Sequence, residues 1–276
     1  MGEVFLAVGP GDRRVALKLV RRELLDDDTV RRRFVREVEL SRQVGGRYTA
    51  KLVEADLSPR QPWLATEFIN GPTLREYVRE RGPLTGGSLR ALAVALLEAV
   101  AAIHEAGIIH RDLSPNNVIL APDGPRVVDF GIAHHKGMST ATTLTGGTVG
   151  TPSWMAPEEV EGRHSTPATD LFSWAAVITY AATGHPPFGE GRPEAVLYRV
   201  VHGDPDLDSV PEALREVVAA CFAKDPDQRP SVPMVLTELG VGVDIDLTEA
   251  VEQTVRESWD AQVQPVLGAP GEIGSR

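Results

Sequence analysis

HRDLSPNN, at residues 110–117, is the stretch that decides the fold of this chain, because it places a proton acceptor, a basic side chain and a metal ligand in one short loop. Asp112 is a carboxylate that can orient an attacking hydroxyl, and Asn117 offers a neutral oxygen ligand. Asp129, seventeen residues beyond Asp112, begins an Asp-Phe-Gly tripeptide and adds an anionic oxygen ligand. Transfer of a γ-phosphoryl group requires this combination of a carboxylate and oxygen ligands for Mg²⁺. The stretch therefore predicts phosphoryl-transfer chemistry.

Further motifs lie in a fixed order on both sides of this loop. Val-Ala-Leu-Lys precedes it at 15–18, and Ala-Pro-Glu at 156–158, Asp170 and Asp-Pro-Asp-Gln-Arg-Pro at 225–230 follow it. One such motif alone is weak evidence, but an ordered series over residues 2–240 is specific. The chain resembles the bacterial eukaryotic-like, or Hanks-type, serine/threonine protein kinases.

The resemblance implies an α+β, bilobal protein-kinase-like fold. A small β-rich N-lobe, about residues 1–68, would be joined by a hinge at 67–71 to a large helical C-lobe at 72–240. The remaining residues, 241–276, carry seven acidic residues against two arginines. We expect them to form an acidic tail with a helix near 248–258 and to be partly disordered towards the end.

Local patterns predict elements that agree with this division. Apolar residues flank Gly9-Pro10-Gly11-Asp12, which indicates a hairpin. Acidic residues at 26–28 favour a helix start, and Gly45-Gly46 favours its end. The predicted strands lie near 3–8, 13–20, 51–57, 63–68, 118–120 and 126–128, and the longest predicted helices near 26–44 and 88–106.

The resemblance also assigns catalytic and nucleotide-binding roles. Asp112 would accept the hydrogen bond of the substrate hydroxyl, while Asn117 and Asp129 would bind Mg²⁺ or Mn²⁺. Lys18 would contact the α- and β-phosphates of ATP, with Glu37 as its ion-pair partner. The remaining nucleotide contacts would be Gly2 from the phosphate loop, Val4 and Ala16 as roof, Ile119 as floor, Thr66 as gatekeeper, and Glu67 and Ile69 at the hinge.

Regulatory and structural roles follow from the same resemblance. Arg111 would bind a phosphate on the activation segment, residues 132–155, where Thr143 and Thr145 align with autophosphorylated threonines. An unmodified polar loop is the alternative for this segment. The structural residues would be Thr151, Asp170 and a buried ion pair of Glu158 with Arg229.

Two departures from the family pattern bear on activity. Only the end of the glycine-rich loop, Gly2-Glu3-Val4, is present, so its first two glycines and the first strand of the lobe are missing. Because backbone amides of that loop cradle phosphates, we expect weakened nucleotide binding and a native start upstream of Met1. Ser114 occupies the position where these kinases usually carry a lysine that contacts the transferring phosphoryl group. This predicts a slow enzyme rather than an inactive one.

Composition narrows the class of partner. The net charge of −11 argues against a nucleic-acid-binding role, because the phosphates of a nucleic acid require Lys and Arg side chains. The single cysteine, Cys221, excludes an internal disulfide and suits a reducing cytosol. The apolar stretches 91–103, interrupted by Glu98, and 174–182 are too short to span a bilayer. We therefore expect a cytoplasmic protein that binds ATP and Ser/Thr-bearing protein substrates, and self-association for trans-autophosphorylation stays open.

Two other function classes stay open at this point. A pseudokinase scaffold, which binds partners without turnover, is favoured by Ser114 and the missing glycines. A small-molecule phosphotransferase would share Asp112 and Asp129, but it would not require Ala-Pro-Glu at 156–158 or Arg229.

Overall fold

The computed structural model describes residues 3–19, 28–57, 62–129, 152–242 and 247–259, with backbone alone at 10, 28–30, 33, 34 and 37. Four antiparallel strands form the N-terminal sheet in the order β1-β2-β4-β3. They are β1 (Glu3–Val8), β2 (Arg14–Leu19), β3 (Leu52–Asp56) and β4 (Trp63–Glu67). The predicted strands in this part of the chain are confirmed, and each observed end lies within one residue of the predicted end.

The register of this sheet places candidate nucleotide-binding residues side by side. Ala16 on β2 pairs with Thr66 on β4, and Lys18 on β2 pairs with Val4 on β1 and with Leu64 on β4. Because alternate residues of a strand point to the same face, Ala16 and Lys18 face the same side of the sheet. Helix α1 (Asp28–Ser41) ends three residues before the predicted residue 44, its predicted start at 26 lies outside the described residues, and it packs on the sheet through Val38.

The remainder of the described chain is mostly helical, as predicted. Its helices are α2 (Leu74–Arg81), α3 (Gly86–Glu105), α4 (Pro157–Val160), α5 (Pro167–Thr183), α6 (Pro193–His202), α7 (Glu212–Cys221), α8 (Val232–Glu238) and α9 (Leu247–Ser258). A hairpin of β5 (Val118–Ala121) and β6 (Gly124–Val127) follows α3. Together with the four-stranded sheet, these helices give the α+β arrangement of a small β-rich part and a large helical part that the sequence predicts.

Local chemistry explains where these helices begin and end. Thr73 caps α2, because its hydroxyl accepts from the Glu76 N–H at 3.1 Å and the Glu76 carboxylate accepts from the Thr73 N–H at 2.9 Å. Gly184 ends α5 with a φ of 83°, a left-handed conformation in which glycine is favoured. Pro167 begins α5, where its missing N–H has no intrahelical partner to lose.

Helices α3 and α5 form the centre of the hydrophobic core. All residues from Ala91 to Leu97 in α3 have no exposed surface, and Phe172 and Trp174 in α5 are likewise fully buried. Helix α3 spans 20 residues, and among the described helices it is the one that meets length and apolarity criteria for a membrane span. The apolar stretch 91–103 was judged too short to span a bilayer, but α3 also includes flanking residues on both sides of it and so reaches the length that a span requires. Most of it lies buried inside the fold.

Candidate active site

A cavity of about 300 Å³ opens between the N-terminal sheet and the β5–β6 hairpin. Among the residues that line it are seven of the predicted nucleotide contacts, namely Val4, Ala16, Lys18, Thr66, Glu67, Ile69 and Ile119. Asp129 lines the same cavity. The wall is mostly apolar and includes the charged side chains of Lys18 and Asp129, which is the character expected of a site that takes a flat heterocycle and its phosphates.

Lys18 and Asp129 form an ion pair across this cavity. The Lys18 Nζ lies 3.1 Å from the Asp129 Oδ1, and their side chains are 17% and 38% exposed. The pair joins a β2 residue to the segment after β6. Because Lys18 can bind an anionic phosphate and Asp129 can bind a cation, both ligands would bind at the same point of the cavity. Asp129 has a φ of 58°, a sparsely populated conformation for a residue with a side chain. Strain of this kind is found at sites whose geometry the surrounding structure fixes.

Asn117 lies against Asp112 in residues 110–117, the candidate catalytic loop. The Asn117 Nδ2 donates to the Asp112 carbonyl oxygen at 2.7 Å and to the Asp112 Oδ2 at 3.0 Å. Because the amide nitrogen is used in this way, the Oδ1 of Asn117 is the atom that remains for a cation. The Val128 N–H donates to the Asn117 carbonyl at 2.9 Å, so the Asp129 backbone runs directly beside the loop. The residues present therefore fit a hard divalent cation held through oxygen ligands.

Asp170, from the first turn of α5, braces the backbone of the catalytic loop. Its carboxylate is fully buried and accepts from the N–H of His110 at 2.8 Å and of Arg111 at 2.9 Å. His104 lies 2.7 Å from the same carboxylate. Arg111 has a φ of 62°, and these charge-assisted bonds hold it in that strained conformation. The loop is therefore fixed by a group 58 residues away from Asp112 in the chain.

Glu158 and Arg229 form a buried, two-pronged ion pair. The Arg229 Nη1 and Nη2 donate to the two Glu158 oxygens at 2.8 and 2.7 Å, and the side chains are 0% and 1% exposed. The Thr169 hydroxyl adds a third donor to Glu158 at 2.8 Å. Burial alone would raise the pKa of Glu158, but the Arg229 hydrogen bonds and charge outweigh it and hold the pKa below its usual value.

Ser114 is almost fully buried, with 4% of its surface exposed. Its carbonyl accepts from the Asn117 N–H at 2.9 Å, which keeps the catalytic loop tight. A buried hydroxyl does not supply the cation that a lysine would place near a phosphate. Serine in place of the usual lysine therefore leaves position 114 without a positive charge.

Several predicted residues lie outside the described part of the chain. They are Gly2, Thr143, Thr145 and Thr151. Glu37 belongs to α1, but its side chain is not among those described. The expected pairing of Lys18 with Glu37 therefore stays a prediction, and the described partner of Lys18 is Asp129.

Sequence reasoning missed several residues of the cavity wall. Ser41, Leu52, Leu64 and Val128 line the cavity without having been predicted there, whereas Phe68, Asn70 and Gly71 lie in the predicted hinge at 67–71. Leu64 was identifiable, because it alternates with Thr66 along β4 and so faces the same side. Ser41 carried no such signal, since it reaches the cavity only through the packing of α1.

Glu159, next to the buried pair, gives a pH-dependent prediction. Although part of the residue is exposed, burial of its carboxyl raises the pKa from 4.5 to about 7, and the charges of Asp170 and Glu158 add to the rise. The Ala156 N–H, which donates at 3.2 Å, and the charge of Arg111 oppose it. A raised pKa in the folded state means that folding is disfavoured progressively as pH rises from 4.5 towards 7.

We therefore expect Glu159→Gln, which keeps an oxygen for the Ala156 N–H, to remove this penalty. Between about pH 5 and about pH 8, wild type should lose about 1–3 kcal/mol of unfolding free energy relative to the variant. Urea unfolding at both pH values measures this difference. Glu161→Gln, at an exposed carboxylate two residues away, is the matched control. An identical pH dependence in all three proteins would contradict the prediction.

Comparisons with known proteins agree with this geometry. The pattern of the protein kinase domain family matches residues 1–239. The chain is 46% identical over 239 residues to a probable serine/threonine-protein kinase, PkwA, of Thermomonospora curvata, covering 87% of this chain and 32% of that protein. It is 45% identical over 233 residues to the serine/threonine-protein kinase AfsK of Streptomyces coelicolor, covering 84% and 29%.

A more distant relative is the serine/threonine-protein kinase PknL of Mycobacterium tuberculosis, 31% identical over 224 residues, which cover 79% of this chain and 56% of that protein. The chain spans about a third of the length of the first two relatives. With its two-lobed fold, its cavity and a match over residues 1–239, the chain belongs to the protein kinase domain family and resembles the bacterial serine/threonine members of that family.

Proposed function

We propose that this chain is the catalytic domain of a serine/threonine protein kinase that transfers the γ-phosphoryl group of Mg-ATP to Ser and Thr hydroxyls of proteins. The observation that carries the proposal is the Lys18–Asp129 ion pair in the wall of one apolar cavity, beside the loop in which Asn117 binds Asp112. Residues 1–240 would form the catalytic domain, with lobes at about 1–68 and 72–240 and a hinge at 67–71.

Each group has a separate task in this proposal. The apolar walls, with Ala16 above and Ile119 below, would hold adenine, and Lys18 would neutralise the α- and β-phosphates. Protein kinases use ATP with a divalent metal. Asn117 and Asp129 are hard oxygen ligands, which favour Mg²⁺ as that metal. A cation bound there neutralises charge on the phosphates during transfer.

Asp112 would orient the acceptor hydroxyl and receive its hydrogen bond as the proton leaves. The hydrogen bonds from Asn117 to the carbonyl and carboxylate of Asp112 fix the carboxylate in one direction. This couples the acceptor site to the metal site through one amide. The missing lysine at Ser114 would lower the rate without removing any of these groups, so the enzyme is proposed to be slow.

Regulation is proposed to use the activation segment. Arg111 would receive a phosphate on Thr143 or Thr145, as a forked cation suited to two phosphate oxygens. Transfer between two copies of the chain is one route to that phosphate. A cytoplasmic setting is proposed because ATP and reduced Cys221 both suit it.

The alternatives receive less support. The relatives carry kinase names, and nothing in those comparisons supports a scaffold without turnover. The buried Glu158–Arg229 pair was expected of a protein kinase rather than of a small-molecule phosphotransferase.

The nature of the acceptor tests the proposal. The chain would be incubated with γ-labelled ATP, Mg²⁺ and either a mixture of peptides with Ser, Thr and Tyr acceptors or a panel of sugars and aminoglycosides. Acid hydrolysis of labelled protein and peptide should yield phosphoserine or phosphothreonine. Label confined to small molecules, or to tyrosine, would contradict the proposed function.

A further inference from the structure

A buried carboxylate, Glu98, lies in the middle of the apolar helix α3. The residue is 2% exposed. Its oxygens accept hydrogen bonds from the backbone N–H groups of Arg47 at 3.1 Å and Tyr48 at 3.4 Å. The hydroxyl of Thr248, on α9, donates to it at 3.0 Å. A buried carboxylate is unfavourable without hydrogen-bond donors. Because its donors come from residues 47 and 48 and from α9, Glu98 joins these two segments to α3.

Competing effects act on this carboxylate. Burial raises the pKa of Glu98, whereas the hydrogen bonds from Arg47, Thr248 and Tyr48 and the charge of Arg126 lower it. Each donor that is removed leaves the ionised form less well satisfied. The hydrogen bond from Thr248 therefore stabilises the ionised Glu98 carboxylate, which in turn accepts hydrogen bonds from the backbone N–H groups of residues 47 and 48.

Residues 45–50, the 45–50 loop, connect α1 to the start of the segment that leads into β3. The loop adds to the edge of the β5–β6 hairpin, because the Tyr48 carbonyl accepts from the Val127 N–H at 2.7 Å. The Ala50 N–H donates to the Val127 carbonyl at 2.8 Å, and Thr49 bridges Val127 in parallel. The position of β6 is therefore tied to the position of this loop.

β6 leads directly into the candidate metal site. Val127 precedes Asp129 by two residues, and the intervening Val128 donates its N–H to the Asn117 carbonyl at 2.9 Å. Displacement of the 45–50 loop would move the backbone that carries Asp129. It would also disturb the contact of that backbone with Asn117.

Helix α9 packs closely on this arrangement. Val251 and Val255 are 0% and 2% exposed, and the Trp259 Nε1 donates to the Ala121 carbonyl at the end of β5, at 3.1 Å. Glycines permit the fit: a Cβ at Gly124 would lie 3.2 Å from both Tyr48 and Val255. A Cβ at Gly46 would lie 2.7 Å from the Ala102 Cβ, so the loop needs glycine there to approach α3.

We propose that α9, docked through Thr248 onto Glu98, is a positioning element of the active site that holds the 45–50 loop and, through it, the backbone of Asp129. The proposal rests on the proposed function, in which Asp129 binds the divalent cation. Helix α9 lies beyond residue 239, where the match to the kinase family ends. The proposal therefore concerns a segment outside the matched domain.

The test uses the full chain and variants of one hydroxyl. Thr248→Val removes the donor to Glu98 and keeps the shape, and Thr248→Ser retains the hydroxyl. Thr254→Val is the matched control, because the Thr254 hydroxyl donates to the Ala250 carbonyl within α9 itself. Two quantities are measured: hydrogen exchange of the Tyr48 and Val127 amides, and the Mg²⁺ concentration that supports half-maximal phosphoryl transfer at fixed ATP.

For Thr248→Val we expect both amides to exchange about fivefold faster and the half-maximal Mg²⁺ concentration to rise by about the same factor. Thr248→Ser and Thr254→Val should behave as wild type does. If Thr248→Val only lowers the melting temperature and leaves the Mg²⁺ dependence unchanged, the positioning role is overturned. If wild type transfers no phosphoryl group, the proposed function fails, while unchanged amide exchange in Thr248→Val would separately overturn the coupling.

Discussion

Replacing Arg229 with methionine is expected to lower the free energy of unfolding by about 3–5 kcal/mol, because it leaves Glu158 charged and buried without its main partner. The guanidinium donates to both Glu158 oxygens and also to the carbonyls of Ala168 and Ala223, each at 2.8 Å. These bonds connect α4 to α5 and to the loop before α8. Chemical denaturation at neutral pH measures the loss.

The pH dependence of this effect has a definite sign. The folded pKa of Glu158 is lowered from 4.5, so the pair's contribution to stability is present above pH 4.5 and is lost as pH falls through the folded pKa. The difference between wild type and Arg229→Met should therefore shrink in acid.

Two controls separate burial from charge. Arg163→Met breaks an exposed pair with Glu161 and should change the unfolding free energy by less than about 1 kcal/mol. The double variant Glu158→Leu/Arg229→Met removes both charges and should recover much of the loss. A loss at Arg229 no larger than that at Arg163 would contradict the structural role of the pair.

Replacing Asp129 with asparagine is expected to reduce phosphoryl transfer by at least about 10²-fold, because it removes the anionic ligand for the divalent cation. It also removes the partner of Lys18, whose Nζ lies 3.1 Å from the Asp129 carboxylate. Nucleotide binding measured by calorimetry should then lose most of its dependence on Mg²⁺.

Asp123→Asn is the matched control for this prediction. Asp123 lies in the turn between β5 and β6, a few residues from Asp129, and its side chain is mostly exposed where it pairs with Arg126. We expect its rate and Mg²⁺ dependence to remain within about twofold of wild type. Equal effects at the two aspartates would show that Asp129 acts only through local structure.

The fold was predictable from sequence because its signals are local and ordered. The motifs from Val15 to Arg229 occur in one order, and each has a fixed place in the fold. The strands and the C-terminal helix near 248–258 also followed from apolar periodicity and spacing. The start of α3 was predicted two residues late, since Gly86 and Gly87 contributed no apolar signal although they are helical.

Long-range polar contacts were not predictable in the same way. Glu98 appeared in the sequence only as an interruption of an apolar run, and its donors lie 50, 51 and 150 residues away. No spacing rule links such distant positions. The position of Ser41 in the cavity wall was likewise not predictable, because it depends on how α1 packs against the sheet.

The most direct measurement of the central claim is phosphoryl transfer by wild type beside Asp112→Asn, with sites mapped by mass spectrometry. Asp112 carries the carboxylate that Asn117 holds at 3.0 Å, and asparagine keeps the shape while losing the acceptor charge. The account predicts Mg²⁺-dependent phosphate on Ser or Thr, with Thr143 or Thr145 among the sites. It also predicts a rate lowered by about 10²–10⁴-fold in the variant. Equal labelling of the two proteins, or none in wild type supplied with Mg-ATP and peptide acceptors, would contradict it.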